Sequence, residues 1–234
     1  MLQVSDLIVE LAGLEIIKNV SFRVERGEVV SIIGPNGSGK TTILNTLAGI
    51  YRPRRGSIIF DGVEVKNLGV HERVAKGLIL VPETRNIFPE MSIYENIVAG
   101  AILIKDKNKI REKLEIIYNI FPWMRSRSKQ LAGTLSGGEQ RMLTIARALM
   151  SEPKLLMFDE PSAGLAPKIV AEIYNIIEKL NKELNITVLI VDQNVKKALD
   201  LSSKFYILFN GEIVYEGRPG EIDEKNIMRR YFGF

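Results

Sequence analysis

The sequence predicts an α/β protein with a mainly parallel core sheet, an N-terminal antiparallel β subdomain and an inserted helical subdomain. Three observations carry that expectation. Apolar, β-branched runs at residues 29–33, 78–81, 155–158 and 187–191 have the continuous hydrophobicity of strands buried on both faces. Helical patterns separate these runs, and strands that alternate with helices build a parallel sheet. The stretch 90–152 holds helical patterns with no strand pattern among them.

In chain order, the first thirty residues read as short strands at 7–11, 16–17 and 20–24, with Gly13 and Gly27 at turns. After the run at 29–33 comes a glycine-rich turn, then a helix with Ile43, Leu44 and Leu47 on one side. Ser92 and Glu95 have the spacing of a capping box and open another helix. Ile110, Leu114 and Ile117 share the face of a second, and Met142, Ile145, Ala146 and Leu149 that of a third. Pro167 stands in the first turn of a long helix that turns Val170, Ile173, Ile177, Leu180 and Leu184 inward. Asn210 and Gly211, between YILF and EIVY, signal a type I′ hairpin. The chain is expected to form a single domain: 1–89 and 153–234 as core and β subdomain, 90–152 as helical subdomain.

Bulk composition excludes several classes. With 234 residues, 46% hydrophobic and 26% charged, the chain is an ordinary soluble globular protein. Net charge is only +4, and the basic runs at 105–113 and 125–129 are short and diluted, so they read as solvated faces. No nucleic-acid partner is expected. The chain has no cysteine, which rules out disulfides, thiolate catalysis and cysteine metal sites and is compatible with a reducing cytoplasm. MLQVSDLIVE lacks the basic n-region of a signal peptide. No apolar run approaches the roughly 18–20 residues that span a bilayer. If the protein acts at a membrane, another chain supplies the membrane part.

Residues 34–41, GPNGSGKT, match G-x-x-x-x-G-K-[ST] between a buried strand and a helix, the mark of a P-loop NTPase. Glycines let consecutive backbone N–H groups converge on phosphate oxygens, and the helix N-terminus adds its positive dipole end. The nucleotide-binding set is Gly34, Pro35, Asn36, Gly37, Ser38, Gly39, Lys40, Thr41 and Thr42. Lys40 is expected to neutralise the β- and γ-phosphates of ATP, and the Thr41 hydroxyl to ligate Mg²⁺. The alternative is a glycine-rich turn that binds nothing.

LLMFDE, residues 155–160, ends a buried strand with two acids whose side chains point to opposite faces. Asp159 is placed to hold the Mg²⁺ shell and Glu160 to take a proton from an attacking water. Without a phosphate cradle the pair would read as a solvated acidic turn. LSGGEQ, residues 135–140, opens the Met142 helix, where Ser136, Gly137 and Gly138 present amides and a helix dipole to an anion. Ser136 as a simple N-cap is the alternative.

LSGGEQ with GPNGSGKT and LLMFDEP resembles the ATPase subunits of ATP-binding-cassette (ABC) transporters, in order and across essentially the whole chain. In that family two such domains pair head to tail, so that the LSGG of one meets the γ-phosphate held by the other. An anion site without its own lysine thereby finds its phosphate. Three positions depart from the family pattern: Glu83 stands where most have Gln, Ala166 where most have Asp, and Gln193 where most have His. His71 lies far from any motif and reads as a surface residue. This set of departures, with IFPEMSIYENI, QLAGTLSGGEQRMLTIARALM and the terminal RRYFGF, resembles the smaller ATPase of branched-chain amino acid importers.

The resemblance implies Gln193 as the γ-phosphate sensor and Glu83 as a nucleotide and Mg²⁺ contact. It makes Glu160, Gln193 and Lys40 the catalytic set. A structural role for Gln193 is the alternative. The implied partners are a second, different ATPase rather than another copy, and two integral membrane permease subunits, at the cytoplasmic face of the membrane. Similar sets energise uptake of urea or short amides. Ribosome-acting relatives carry two cassettes in one chain and DNA-repair relatives carry coiled-coil insertions, neither of which is here; Glu160 argues against a scaffold without turnover. Near Leu11 the family usually places an aromatic residue that stacks on adenine, and ELAGLEII has none.

Overall fold

The computed structural model describes residues 1–84, 86–221 and 229. The terminal RRYFGF therefore lies almost wholly outside the described residues. Two sheets organise the chain. The first is antiparallel, with strand order β2-β1-β4-β5 from β1 (Leu2–Leu11), β2 (Leu14–Val24), β4 (Arg55–Phe60) and β5 (Val63–Glu64). The second joins β3 (Val29–Ile33), β6 (Leu78–Val81), β7 (Leu155–Asp159), β8 (Thr187–Asp192), β9 (Lys204–Phe209) and β10 (Glu212–Gly217) in the order β10-β9-β3-β8-β7-β6. All its pairings are parallel except the β9–β10 hairpin. Asn210 and Gly211 close that hairpin at φ 49° and 83°, the left-handed pair a type I′ turn requires.

β3, β7 and β8 are buried along their whole length. Alternate residues serve two cores. Leu156, Phe158, Val188 and Ile190 face a helical layer, whereas Leu155, Met157, Leu189 and Val191 face the antiparallel sheet and helix α1 (Lys40–Ala48). The remaining helices are α2 (Val70–Ala75), α3 (Ile93–Ala99), α4 (Lys107–Ile120), α5 (Pro122–Ser126), α6 (Gly137–Met150), α7 (Pro167–Leu184) and α8 (Val195–Leu201). Helices α3 to α6 fall between β6 and β7, and the Ser92–Glu95 capping box that starts α3 is formed in full.

Three sequence expectations are corrected. The short strands at 16–17 and 20–24 are one continuous β2, because Asn19 at φ 53° absorbs a bulge in the β1–β2 register that does not end the pairing. β4 and β5, which sequence reading left unassigned, complete the antiparallel sheet. Leu184 is 38% exposed, not inward, because it is the last residue of α7, where Asn185 in the left-handed region ends the helix.

Candidate active site

The strand order explains why distant motifs meet. β3, β8 and β7 are consecutive neighbours with Ile33 opposite Asp192 and Val191 opposite Asp159, so their carboxyl ends form one edge. Open parallel sheets bind ligands at that edge. After β3 the chain makes the glycine turn, with Gly37 at φ 77° and Gly39 at φ 105°. A Cβ on Gly34 would collide with the Leu208 carbonyl, so that position tolerates no side chain. Lys40 is buried and curls its ammonium back onto the carbonyls of Gly34 (2.9 Å) and Pro35 (3.0 Å), with Glu160 Oε1 at 3.4 Å. Among the described residues the Ser38 hydroxyl, which is buried, has no hydrogen-bond partner. A buried polar atom without a partner is rare, and a phosphate oxygen is the acceptor this turn is shaped to bring. Pro35 and Asn36 lie on the same turn, and Thr42 follows in the first turn of α1, its carbonyl accepting from Thr46.

Thr41 Oγ1 donates to Asp159 Oδ1 at 3.0 Å. Burial pushes the Asp159 carboxyl up to about 6, against the Thr41 hydrogen bond, and the neighbouring charges of Glu160 and Glu83 add to the rise. A desolvated carboxylate beside a hydroxyl, facing a phosphate cradle, fits a hard cation. Mg²⁺ takes only one or two protein carboxylates and completes its shell with phosphate and water. That is consistent with the described residues holding no cluster of three or more metal-binding side chains. Glu160 is buried, sits at φ 42°, and receives the Gln193 amide on Oε2 at 2.6 Å. Glu160 thus lies between Lys40 and Gln193. Glu83, two residues after β6, is solvent-exposed.

Other predicted residues lie apart. Ser136 caps α6 in a full capping box: its N–H and hydroxyl both donate to Glu139 Oε2 at 2.8 Å. Burial opposes ionisation of Glu139, but Arg127 and Ser136 outweigh it and hold the carboxyl below its ordinary range. Among the described residues no hydrogen bond joins Ser136, Gly137 or Gly138 to the cradle. Gly138 packs so closely on Ile169 of α7 that a Cβ would stand 2.6 Å from its Cγ2. Ala166 is exposed and caps α7 with no side-chain bond. Leu11 is half-buried against the core beneath the antiparallel sheet, and His71 is exposed.

The sequence profile of the ABC transporter family matches residues 17–163. The chain belongs to that family. It is an ATPase subunit of an ABC transporter. Curated relatives of this cassette include BraG, a high-affinity branched-chain amino acid transport ATP-binding protein of Pseudomonas aeruginosa, 42% identical over 86% of this chain and 85% of that one. BraF of the same organism and transport function is 34% identical over 99% and 97%. The lipopolysaccharide export ATP-binding protein LptB of Haemophilus influenzae is 34% identical over 94% and 91%. Among solved structures, a nucleotide-free ATP-binding cassette of an ABC transporter superposes with a TM-score of 0.87 at 30% identity, over 98% of this chain and 95% of that one. A dimeric post-hydrolysis cassette bound to ADP and phosphate superposes at 0.82 with 26% identity, over 95% and 100%.

The motif reading of this cassette missed the residues that brace the site. Asp192 is buried and accepts from Ser162 Oγ (2.8 Å), Tyr174 OH (2.8 Å) and the Asn194 amide (2.9 Å), fixing the strand tip that carries Gln193. Burial, together with Asp192, raises the Tyr174 phenol far above its ordinary range. The signal was present: an acid ends a strand whose other positions are all apolar or Thr. Arg141 is likewise buried on α6, four residues before Ile145 and so on its inward face.

Proposed function

We propose that the cassette drives uptake of branched-chain amino acids by hydrolysing Mg·ATP at the cytoplasmic face of a membrane. It would work as half of a nucleotide sandwich with a second, different ATPase, beneath two integral membrane permease subunits. The convergence of Lys40, Thr41, Asp159, Glu160 and Gln193 on one sheet edge carries the hydrolytic part of this reading.

Lys40 exchanges the Gly34 and Pro35 carbonyls for phosphate oxygens, with the turn amides and Ser38 completing the cradle. Thr41 and Asp159 would hold Mg²⁺, with Glu83 as a further contact; the ion when bound would supply charge neutralisation at the phosphate oxygens. Glu160 accepts the proton of the attacking water. Gln193 orients the Glu160 carboxylate through one N–H and offers the other to the γ-phosphate. A carboxamide does not titrate, so Glu160 is the sole base. The LSGG stretch of the partner cassette closes this site over the γ-phosphate, while Ser136, Gly137 and Gly138 of this chain close the partner's. The dimeric solved cassette supports that pairing, and the BraG and BraF names in one organism support two different ATPases.

Permease docking is supported by a groove of about 1000 Å³ beside α3 and α6, whose rim exposes Phe88, Met91, Tyr94 and Ile102. No helix among the described residues is long and apolar enough to cross a membrane. Higher identity to BraG than to LptB favours amino acid import over lipopolysaccharide export. The test is uptake of labelled leucine, isoleucine and valine by cells with and without this chain, with urea and acetamide in parallel. Loss of branched-chain uptake alone is the expected outcome. Unchanged branched-chain uptake, or loss of urea or amide uptake alone, contradicts the substrate.

A further inference from the structure

We propose that Arg141 is a positioning residue for hydrolysis: from the second turn of α6 it pins the Asp159–Glu160 peptide and so aims the Glu160 carboxylate. The proposal rests on Glu160 being the general base. The Arg141 side chain is 2% exposed. Nη2 donates to the Asp159 carbonyl at 2.8 Å, and Nη1 donates to the carbonyls of Pro82 and of Glu83, the latter at 3.1 Å. These carbonyls stand at or just beyond the carboxyl ends of β6 and β7, past the last β6–β7 pair, Val81 and Phe158.

The Asp159 carbonyl and the Glu160 N–H belong to one planar peptide group. Its oxygen is held by Arg141, and its N–H donates to the Val191 carbonyl of β8 at 2.8 Å. The peptide is therefore fixed at both ends, by α6 and by β8. Its rotation sets φ of Glu160, which stands at 42° in the left-handed region that disfavours any residue with a Cβ. A relaxed φ would swing the Glu160 side chain away from Lys40 and Gln193. The planar guanidinium suits this task, because its fork reaches carbonyls on two strands at once, whereas an ammonium is a point donor. The same bonds tie the Glu83 main chain to the helix whose N-terminus carries Ser136, so the metal edge and the partner-facing edge share one rigid support.

A purely structural arginine predicts lower stability and nothing more. A positioning arginine predicts a kcat effect that vanishes when the base is removed. The experiment compares Arg141→Lys and Arg141→Gln, alone and combined with Glu160→Gln, in the full chain assayed with its transporter subunits and below the unfolding temperature. Expected are a roughly 10- to 100-fold fall in kcat, the scale of a misplaced catalytic group, and a KM for ATP within about threefold of wild type. In the Glu160→Gln background, Arg141→Lys should change the residual rate less than about threefold. Wild-type kcat in a folded Arg141→Lys, or equal falls in both backgrounds, overturns the positioning role. Full turnover by Glu160→Gln alone overturns the base reading together with it. Should both Arg141 variants fail to fold, hydrogen exchange on the unaltered chain decides: a pinned peptide requires the Glu160 amide to exchange as slowly as the amides of β8, and exchange at a loop rate overturns the proposal.

Discussion

Gln193 donates to Glu160 at 2.6 Å, and on the proposed reading Glu160 takes the proton while Gln193 orients it. Gln193→Ala should slow hydrolysis more than it weakens ADP binding, measured as turnover against ADP affinity by calorimetry; equal turnover would leave Gln193 a structural role. Gln193→His should retain activity and acquire a pH dependence near pH 6 to 7, about where imidazole titrates. Asp159 gives a second test. Burial raises its carboxyl to about 6, so the folded chain favours the protonated form. The resulting stabilisation is full below the ordinary carboxylate range and is lost as pH rises through about 6. Without nucleotide, Asp159→Asn should therefore melt higher than wild type at about pH 8, the gap closing towards about pH 4, and it should lose the Mg²⁺-dependent part of ATP affinity. An equal melting difference at both pH values would contradict the desolvated carboxylate. The sequence made Asp159 and Glu160 legible because acids ending an apolar strand stand out. Asp192 sits in the same kind of position, but its Ser162 and Tyr174 partners come from a loop and helix whose approach no local pattern encodes.

At the level of elements, legibility followed burial. β3, β6, β7 and β8 read clearly because strands buried on both faces are continuously apolar. β1 and β2 read as fragments because half-exposed strands carry polar residues, and bulges at Asp6 and Asn19 break their alternation. β5, with two exposed residues, has no periodicity to detect. The order of strands in the sheet, which alone brings the cradle, Asp159 and Gln193 together, is a long-range property with no local signal. The inward face of α6 packs the core, and its capped N-terminus shares no hydrogen bond with the cradle among the described residues. Replacing the cap, Ser136→Arg, should cost about 1 kcal/mol of helix stability and, on the proposed reading, would place a long cation where a partner's phosphate docks. The expected outcome is a folded variant that binds ATP in its own cradle but has lost turnover. Full activity in that variant would contradict a trans role for α6.

At the scale of the whole molecule, one chain presents one cradle and one LSGG stretch, and no bond among the described residues connects them. Specific activity should therefore rise with protein concentration or on addition of the second ATPase; specific activity constant across a wide dilution series would contradict a shared site. On the proposed reading, closing that site would join the phosphate cradle of one chain to the LSGG helix N-terminus of another, and chemistry would then depend on a single proton acceptor, Glu160. The most direct measurement of that claim is turnover and ATP binding by Glu160→Gln, assayed with its transporter subunits. A carboxamide of the same shape leaves Lys40, Thr41 and Asp159 in place but cannot take the proton. Turnover should fall about 10²- to 10⁴-fold, with ATP still bound and ATP-holding dimers accumulating; near-normal turnover would contradict the account.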